Sequence, residues 1–279
     1  MRKQFLGDVN LMSSLKIKAK EIRQETFEMV LSVGKGHLGG SLSIVEVLVA
    51  LYYTGIFRFR AKDPSWGGRD LLVFSKGHAS NSLYVILADL GFFPKEELAI
   101  FSRKGSILGQ HCDINVPGVE ITSGSLGHGL GVAAGMALGK KNDGKDNFVF
   151  VILGDGECQE GSIWEAAMFA GHHNLNNLVA IVDRNLLASE DFTKNTCNLE
   201  PFPEKWQDFG WEVKEIDGHS FSEILSAFET CRGAERTKPL MIISHTTKGK
   251  GLSCLENLPH AHHNIPKGEE IEISRKELL

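Results

Sequence analysis

Residues 148–173 read FVFVILGDGECQEGSIWEAAMFAGHH, and this stretch decides the fold. A continuous apolar run ends at a glycine-flanked Asp155, and a segment with helical character follows it. Four carboxylates lie on or after the turn: Asp155, Glu157, Glu160 and Glu165. So much negative charge directly beyond a buried strand predicts that a positively charged group binds there.

Other segments repeat the same alternation of apolar runs and helical segments. The runs LVAIVD (178–183) and LMIISHT (240–246) are continuous rather than alternating, which is typical of parallel strands buried on both faces. The stretch DLLVFSKGH (70–78) indicates another strand that leads into a loop. The pattern predicts an α/β fold with an open, mostly parallel sheet and helices on both faces. Because no repeat or linker interrupts it, we expect one domain over residues 1–279.

Several helices are predicted from apolar spacing. The first is expected to begin at a cap formed by Ser13 and Ser14 and to end at Gly34. A second wide apolar segment covers residues 43–57, and a third ends at Gly91. Residues 162–173 and 221–233 complete the helical segments between the strands.

The segment LGHGLGVAAGMALGKK (126–141) carries glycines four residues apart, at Gly127, Gly131, Gly135 and Gly139. This spacing places them on one face of a helix. Each glycine inside a helix costs about 1 kcal/mol relative to alanine, so the stripe needs a reason. Either another backbone or a ligand approaches closely from outside, or the stripe packs tightly inside the core. The spacing alone leaves both explanations open.

Composition excludes several classes of protein. The formal net charge is -5, and no basic stripe appears, which disfavours binding to nucleic acid. The five cysteines form no C-x-x-C pair, so we expect neither a disulfide framework nor a zinc site, and a reducing compartment fits best. No apolar run is long enough for a signal peptide or a membrane span. We therefore expect a cytoplasmic protein without a membrane partner.

Two strand ends carry the ligands for a hard cation. In parallel sheets, ligands bind beyond the carboxyl ends of the strands. Asp155 and Asn185 follow successive strands and are thirty residues apart, so we expect their side chains at the same edge. Carboxylate and amide oxygens suit Mg²⁺ or Ca²⁺ rather than zinc. Gly154 and Gly156 permit close backbone approach, and a helix starting near Gly161 favours anions. Together these features predict a diphosphate site.

These motifs resemble the thiamine diphosphate fold of the transketolase family. The G-D-G followed by an asparagine thirty residues after its aspartate is similar to the metal motif of that family. Four further segments resemble family motifs and occur in the family order: GHLGGSLS (36–43), LLVFSKGHAS (71–80), PGVEITSGSLGHGLGVAAGMALG (117–139) and HTTKGKGLSCLENLPHAHHN (245–264). The resemblance covers the chain from about residue 15 to residue 265.

The resemblance implies a cofactor, thiamine diphosphate, and a divalent metal, Mg²⁺ or alternatively Ca²⁺ or Mn²⁺. Asp155, Asn185 and the backbone carbonyl of Leu187 would hold the metal, which bridges to the diphosphate. Contacts to the diphosphate side are implied for His78, Gly156 and His263. Contacts to the aminopyrimidine are implied for Gly124 and Leu126.

The resemblance also implies a sugar site and a contact with a second chain. His37, His111 and His263 would surround the thiazolium carbon and the sugar hydroxyls and would move protons during the reaction. Glu160 and Glu165 match acidic positions that face the active site of a partner and act in a relay. The implied activity is transfer of a two-carbon ketol unit from a ketose, phosphorylated or otherwise anionic, to an aldose.

Two positions near the sugar depart from the family pattern. The chain has Gln110-His111-Cys112-Asp113 where the family usually has G-H-P-[DE]. The last histidine, His263, is followed by Asn264 instead of glycine and preceded by His262. These changes bear on the identity of the donor sugar more than on the cofactor.

The family activates its cofactor with a glutamate from a separate pyrimidine-binding domain, and no such domain precedes Leu279. The resemblance therefore implies the N-terminal subunit of a split transketolase, active only with a C-terminal partner subunit in an α2β2 heterotetramer. Two alternatives remain open. One is a thiamine diphosphate-binding module without catalysis. The other is the α subunit of a 2-oxo acid dehydrogenase, which shares the metal motif but not the histidine loops.

Overall fold

Five parallel strands form the centre of the fold in a computed structural model that describes residues 8–189, 191–232 and 236–279. The strand order is β1-β2-β3-β5-β4, and every neighbouring pair is parallel. The strands are β1 Leu71–Phe74, β2 Val149–Gly154, β3 Leu178–Arg184, β4 Glu212–Asp217 and β5 Leu240–His245. The predicted fold class is confirmed. The remaining residues of the predicted domain, 1–7, 190 and 233–235, lie outside the described ranges.

Helices cover both faces of this sheet. Along β2, Phe150 and Ile152 belong to one hydrophobic core, whereas Val149, Val151 and Leu153 belong to the other. The α-helices are α1 Val9–Val33, α2 Leu38–Leu42, α3 Val45–Tyr53, α4 Ser80–Asp89, α5 Gly129–Asn142, α6 Gly161–His172, α7 Thr193–Thr196, α8 Phe202–Asp208, α9 Phe221–Glu229 and α10 Glu269–Glu277. Helices α1, α3, α4 and α9 pack on the first core, and α5, α6 and α8 pack on the second. Among the described helices, none has both the length and the apolar character needed to cross a membrane.

Two elements differ from the sequence predictions. Helix α1 begins at Val9, ahead of the predicted cap at Ser13 and Ser14, because the Asp8 side chain accepts the N–H of Leu11 at 3.0 Å. Its end at Gly34 is confirmed, with a left-handed φ of 67° at that residue. Strand β4 has no counterpart among the predicted elements. It lies at the sheet edge and is largely charged and partly exposed, so it lacks the continuous apolar signature of the inner strands.

Three of the four glycines in the stripe face outward. Gly127 precedes α5 and adopts a φ of 87°, while Gly131, Gly135 and Gly139 lie on α5 and are exposed. Among the described residues, a Cβ added at Gly135 or Gly139 would meet no atom within 4 Å. Tight packing therefore explains Gly127, where a Cβ would lie 2.7 Å from the side chain of Glu160, but it does not explain Gly135 or Gly139. A close approach from outside the chain stays a prediction.

Gly171 provides a test of the packing between α6 and the turn after α8. A Cβ at this position would lie 1.8 Å from the carbonyl oxygen of Phe209, so helix and turn would have to separate. We expect Gly171→Ala to lower the free energy of unfolding by about 1–3 kcal/mol, as overpacking does. The matched variant Gly139→Ala has free space and should raise it by about 0.5–1 kcal/mol. Urea denaturation of both variants measures the difference. Equal midpoints for Gly171→Ala and the wild type would contradict this contact.

Candidate active site

A cavity of about 220 Å³ lies at the carboxyl edge of the sheet, where β1, β2 and β3 end. Its lining includes Gly40, Lys76, His78, Leu126, Asp155, Gly156, Glu160, Asn185, Leu187, Lys248 and His262. A larger and shallower depression of about 590 Å³, bordered by Lys62, Phe92 and Lys95, holds none of the predicted site residues. The smaller cavity is the candidate active site because the polar groups converge there.

Asp155 lies directly beyond β2 and is 1% exposed. Its carboxylate accepts the N–H of Gly156 at 2.8 Å and the N–H of Leu186 at 2.5 Å. Burial, followed by the charge of Asp183, raises the pKa of Asp155 to about 6. Among the described residues, no basic side chain forms an ion pair with it. A buried carboxylate with this environment fits a bound cation.

The loop after β3 brings two more oxygen atoms toward Asp155. Leu186 adopts a left-handed φ of 64°, an uncommon backbone conformation for this residue type, and the turn it makes positions its two neighbours. The Asn185 side chain accepts the N–H of Leu187 at 3.1 Å and donates to Asp183 at 3.1 Å. Carboxylate, amide and carbonyl oxygens together form a donor set that suits Mg²⁺ or Ca²⁺.

Lys248 was not predicted at this site, although it belongs to a quoted motif. Its ammonium group donates to the carbonyl of Ala188 at 2.6 Å and to that of Leu187 at 3.4 Å. Burial, and then the charge of Lys76, lowers the pKa of Lys248 to about 8. The Leu187 carbonyl, which the family resemblance implies as a metal ligand, thus accepts a hydrogen bond from a cationic side chain in this structure.

A buried ion pair joins Lys76, which follows β1, to Asp183 in β3. The Lys76 ammonium also donates to the carbonyl of Gly40 at 3.0 Å. Asp183 further accepts the hydroxyl of Ser43 at 2.6 Å and that of Thr246. Burial alone would raise the pKa of Asp183, but the charge and hydrogen bond of Lys76 hold it below the ordinary value. Through these contacts the Lys76–Asp183 pair connects α2, the segment between α2 and α3, and the ends of β1, β3 and β5.

Glu157, one of the four acidic residues that follow the β2 run, has a structural role that the sequence did not reveal. It is 3% exposed, and its carboxylate accepts the N–H groups of Gly127 at 2.9 Å and Gly154 at 3.0 Å and the hydroxyl of Ser75. The Ser75 hydroxyl in turn accepts the N–H of Gly129 at 3.1 Å. Glu157 therefore fixes the loop before α5 against the ends of β1 and β2.

The other two acidic residues face outward. Glu160 is exposed and borders the cavity, and Glu165 is exposed on α6. Charged side chains without buried partners inside the chain are compatible with a contact to another chain. Their predicted relay role stays a prediction.

The four predicted histidines form a cluster in which three lie around His37, which is 7% exposed. Its ring centroid lies 5.5 Å from that of His78, 5.6 Å from that of His111 and 5.1 Å from that of His263. Burial, and then the nearby His263 and His111, lowers the pKa of His37 to about 4. Burial, and then Lys76, holds the pKa of His78 well below the ordinary value. Both imidazoles are therefore neutral at pH 7, and each can accept a hydrogen bond with one nitrogen and donate one with the other.

The structure adds His262 to this cluster. Its ring lies 4.8 Å from that of His78, and its side chain lines the cavity, whereas His263 is exposed and does not. The sequence contained the signal, since His262 precedes the family histidine as one of its departures. The backbone here also packs tightly, because a Cβ at Gly39 would lie 2.4 Å from the carbonyl oxygen of Ala261.

The residues predicted at the cofactor ring lie close to these groups. Leu126 lines the cavity, and Gly124, with a φ of 154°, approaches the ring of His111. Gly156 also lines the cavity, and an added Cβ would lie 3.2 Å from the Cα of Ala188. Most of the predicted site residues are thus brought to one edge of the sheet, whereas Glu165 lies on α6, and the individual roles of all of them stay predictions.

The buried pair of Lys76 and Asp183 can be tested by stability. Lys76→Met would leave Asp183 as an uncompensated buried charge, which costs about 3–5 kcal/mol of unfolding free energy. The double variant Lys76→Met/Asp183→Asn removes that charge and should recover part of the loss. Chemical denaturation of the single and double variants measures both terms.

Lys145→Met, at an exposed position, serves as the matched control and should change stability by less than about 0.5 kcal/mol. If Lys76→Met is as stable as this control, the ion pair is absent in solution.

A sequence profile described as "Transketolase, thiamine diphosphate binding domain" matches residues 15–278. The chain belongs to the transketolase family. It is 45% identical over 258 residues to the 6-deoxy-6-sulfo-D-fructose transketolase subunit of Clostridium sp. (strain MSTE9), covering 92% of this chain and 93% of that protein. It is 41% identical to the apulose-4-phosphate transketolase subunit of Phocaeicola vulgatus, covering 95% and 94% of the two chains.

Solved structures agree with this family assignment. The crystal structure of transketolase from Campylobacter jejuni superposes with a TM-score of 0.88 at 35% sequence identity. The match covers 94% of this chain but 42% of that one. The chain is therefore similar to one part of a long transketolase and to nearly the whole of the separate subunits.

Proposed function

We propose that the chain is the N-terminal subunit of a two-chain transketolase, which transfers a two-carbon ketol unit from a ketose to an aldose. Residues 1–279 would form its single diphosphate-binding domain. The observation that carries the proposal is the convergence of an oxygen donor set and a histidine cluster at one sheet edge. The oxygen set suits a metal diphosphate, and the neutral imidazoles suit a polyhydroxylated substrate.

The residues at the cavity fit thiamine diphosphate with Mg²⁺, Ca²⁺ or Mn²⁺. When bound, this cofactor supplies the carbon nucleophile that attacks the ketose carbonyl. Asp155, Asn185 and the Leu187 carbonyl would hold the metal, with Lys248 moving off that carbonyl. Contacts to the diphosphate are assigned to His78, Gly156 and His263, and contacts to the aminopyrimidine to Gly124 and Leu126.

The sugar would lie against His37, His111 and His263. The rings of His111 and His263 both lie next to that of His37, and the lowered pKa values of His37 and His111 keep these two imidazoles neutral at pH 7. A neutral imidazole can accept a hydroxyl proton with one nitrogen and donate a hydrogen bond with the other. We assign these residues to binding the donor hydroxyls and moving protons as the donor bond breaks and the acceptor adds.

The substrate is proposed to be an anionic sugar. Two related subunits are named for 6-deoxy-6-sulfo-D-fructose and for apulose 4-phosphate, and both of these compounds carry an anionic group. Cys112 and Asn264 depart from the family pattern, and they follow His111 and His263 directly in the sequence. These positions are where a different donor sugar would require different residues.

The catalytic partner is proposed to be a C-terminal transketolase subunit with a pyrimidine-binding domain, joined in an α2β2 heterotetramer. The related proteins are themselves called subunits. On this chain, α5 carries the exposed glycines and Val132, and α6, which packs against α5, carries exposed apolar side chains at Met168 and Phe169. Small residues permit close approach of another backbone. Burial of the exposed apolar side chains against a partner chain would stabilise the complex. The free thiols of all five cysteines fit a cytoplasmic enzyme.

Cofactor binding tests the oxygen donor set. Asp155→Asn keeps the size of the side chain but removes the charge that a divalent metal requires. We expect Mg²⁺-dependent binding of thiamine diphosphate to weaken at least about tenfold, or about 1.4 kcal/mol, by calorimetry. Asp143→Asn, at an exposed helix end, is the control and should bind as the wild type does. Unchanged affinity in Asp155→Asn would show that the metal binds elsewhere.

Turnover tests the need for a partner. The purified chain with Mg²⁺, thiamine diphosphate, a ketose phosphate donor and an aldose acceptor should transfer no ketol unit. Adding a separately expressed chain with the pyrimidine-binding domain should restore transfer.

Gly135→Ala should leave the fold intact but weaken association at least about tenfold, because its methyl group obstructs close approach. Gly67→Ala, an exposed loop glycine, is the control. Robust turnover by the isolated chain would overturn the proposal.

A further inference from the structure

Three histidines of the site lie close enough to share one ion. His37, His262 and His263 each offer a ring nitrogen, and these atoms lie within 4.8 Å of one another. Tetrahedral zinc, with bonds of about 2.0–2.1 Å to nitrogen, places its ligand atoms about 3.4 Å apart. Because His262 is half-buried and His263 is exposed, small rotations of these two rings can close the difference.

The neutral state of the histidines and one unpartnered ring nitrogen both favour a metal ion at this cluster. Burial, and then Lys248, lowers the pKa of His262 to about 3, and the pKa of His37 is lowered to about 4. Their ring nitrogens therefore keep free lone pairs at neutral pH, as metal binding requires. In addition, the buried Nδ1 of His37 has no hydrogen-bond partner among the described residues. A buried polar atom without a partner is costly, and a ligand relieves that cost.

Charges of both signs face the cluster. The ammonium groups of Lys76 and Lys248 oppose a cation near His262. Lys76 is neutralised by Asp183, however, and Lys248 donates to two carbonyl groups. The carboxylates of Asp155 and Glu157 also line the same cavity and offset the positive charge. The two ammonium groups therefore oppose a cation in part, and the bonds from three imidazole nitrogens have to outweigh that opposition.

We infer that His37, His262 and His263 form a second cation site, selective for divalent transition metals such as Zn²⁺, Ni²⁺ or Cu²⁺. Imidazole nitrogens prefer these ions, whereas Mg²⁺ selects the oxygen atoms at Asp155 and Asn185. Three protein ligands leave a fourth coordination position open. A metal in this site competes with the sugar, a consequence that rests on the proposed function of His37 and His263.

The test is a titration of the full chain with Zn²⁺ by calorimetry, in excess Mg²⁺ to fill the oxygen site. We expect one Zn²⁺ per chain, and we expect Co²⁺ to give visible ligand-field absorption. His262→Ala should weaken Zn²⁺ binding at least about tenfold. The controls His173→Ala and Cys197→Ser remove exposed residues that attract zinc on their own, and both should leave the affinity unchanged.

The inference is overturned if no Zn²⁺ binds in excess Mg²⁺, or if His262→Ala binds Zn²⁺ as tightly as the wild type. It is also overturned if either control abolishes the binding. Because the titration uses no cofactor, sugar or partner, its failure leaves the proposal of ketol transfer intact. Conversely, Asp155→Asn should keep the Zn²⁺ site while it loses Mg²⁺-dependent cofactor binding.

Discussion

The buried ion pair between Lys76 and Asp183 holds the carboxyl edge of the sheet together. Lys76 follows β1 and Asp183 lies in β3, so the pair spans the end of β2 between them. Removing one partner from such a pair is strongly destabilising, because it leaves a charge without compensation in a dry environment. Since the Lys76 ammonium is committed to Asp183, it does not neutralise Asp155 on the strand between. The consequence is a buried carboxylate that a cation from outside the chain can satisfy.

The same edge presents two kinds of ligand side by side. Oxygen atoms come from the ends of β2 and β3, and imidazole nitrogens come from the loops around His37. Burial affects them in opposite ways, since it raises the pKa of Asp155 but lowers those of His37 and His262. In each case burial disfavours the charged form of the side chain. The oxygen atoms therefore suit a cation, and the neutral imidazoles suit hydroxyl groups.

Much of this arrangement follows from the sequence. The inner strands are continuous apolar runs, and the convergence of Asp155 with Asn185 follows from the rule that ligands lie beyond parallel strand ends. Strand β4 could not be predicted in this way because it is an edge strand with charged residues. The Lys76–Asp183 pair could not be predicted either, because its partners are 107 residues apart and meet through the strand order. The sequence could not show that His262 rather than His263 lines the cavity, because the two histidines are neighbours in the chain. Only the ring positions in the structure distinguish them.

The most direct test of the account is a crystal structure of the chain with thiamine diphosphate and Mg²⁺. The account predicts electron density for Mg²⁺ about 2.0–2.1 Å from oxygen atoms of Asp155 and Asn185, with the diphosphate beside it. The Lys76–Asp183 pair should be unchanged, and Lys248 should have left the carbonyl of Leu187. A metal and diphosphate bound elsewhere, with Asp155 still contacting only backbone N–H groups, would contradict it.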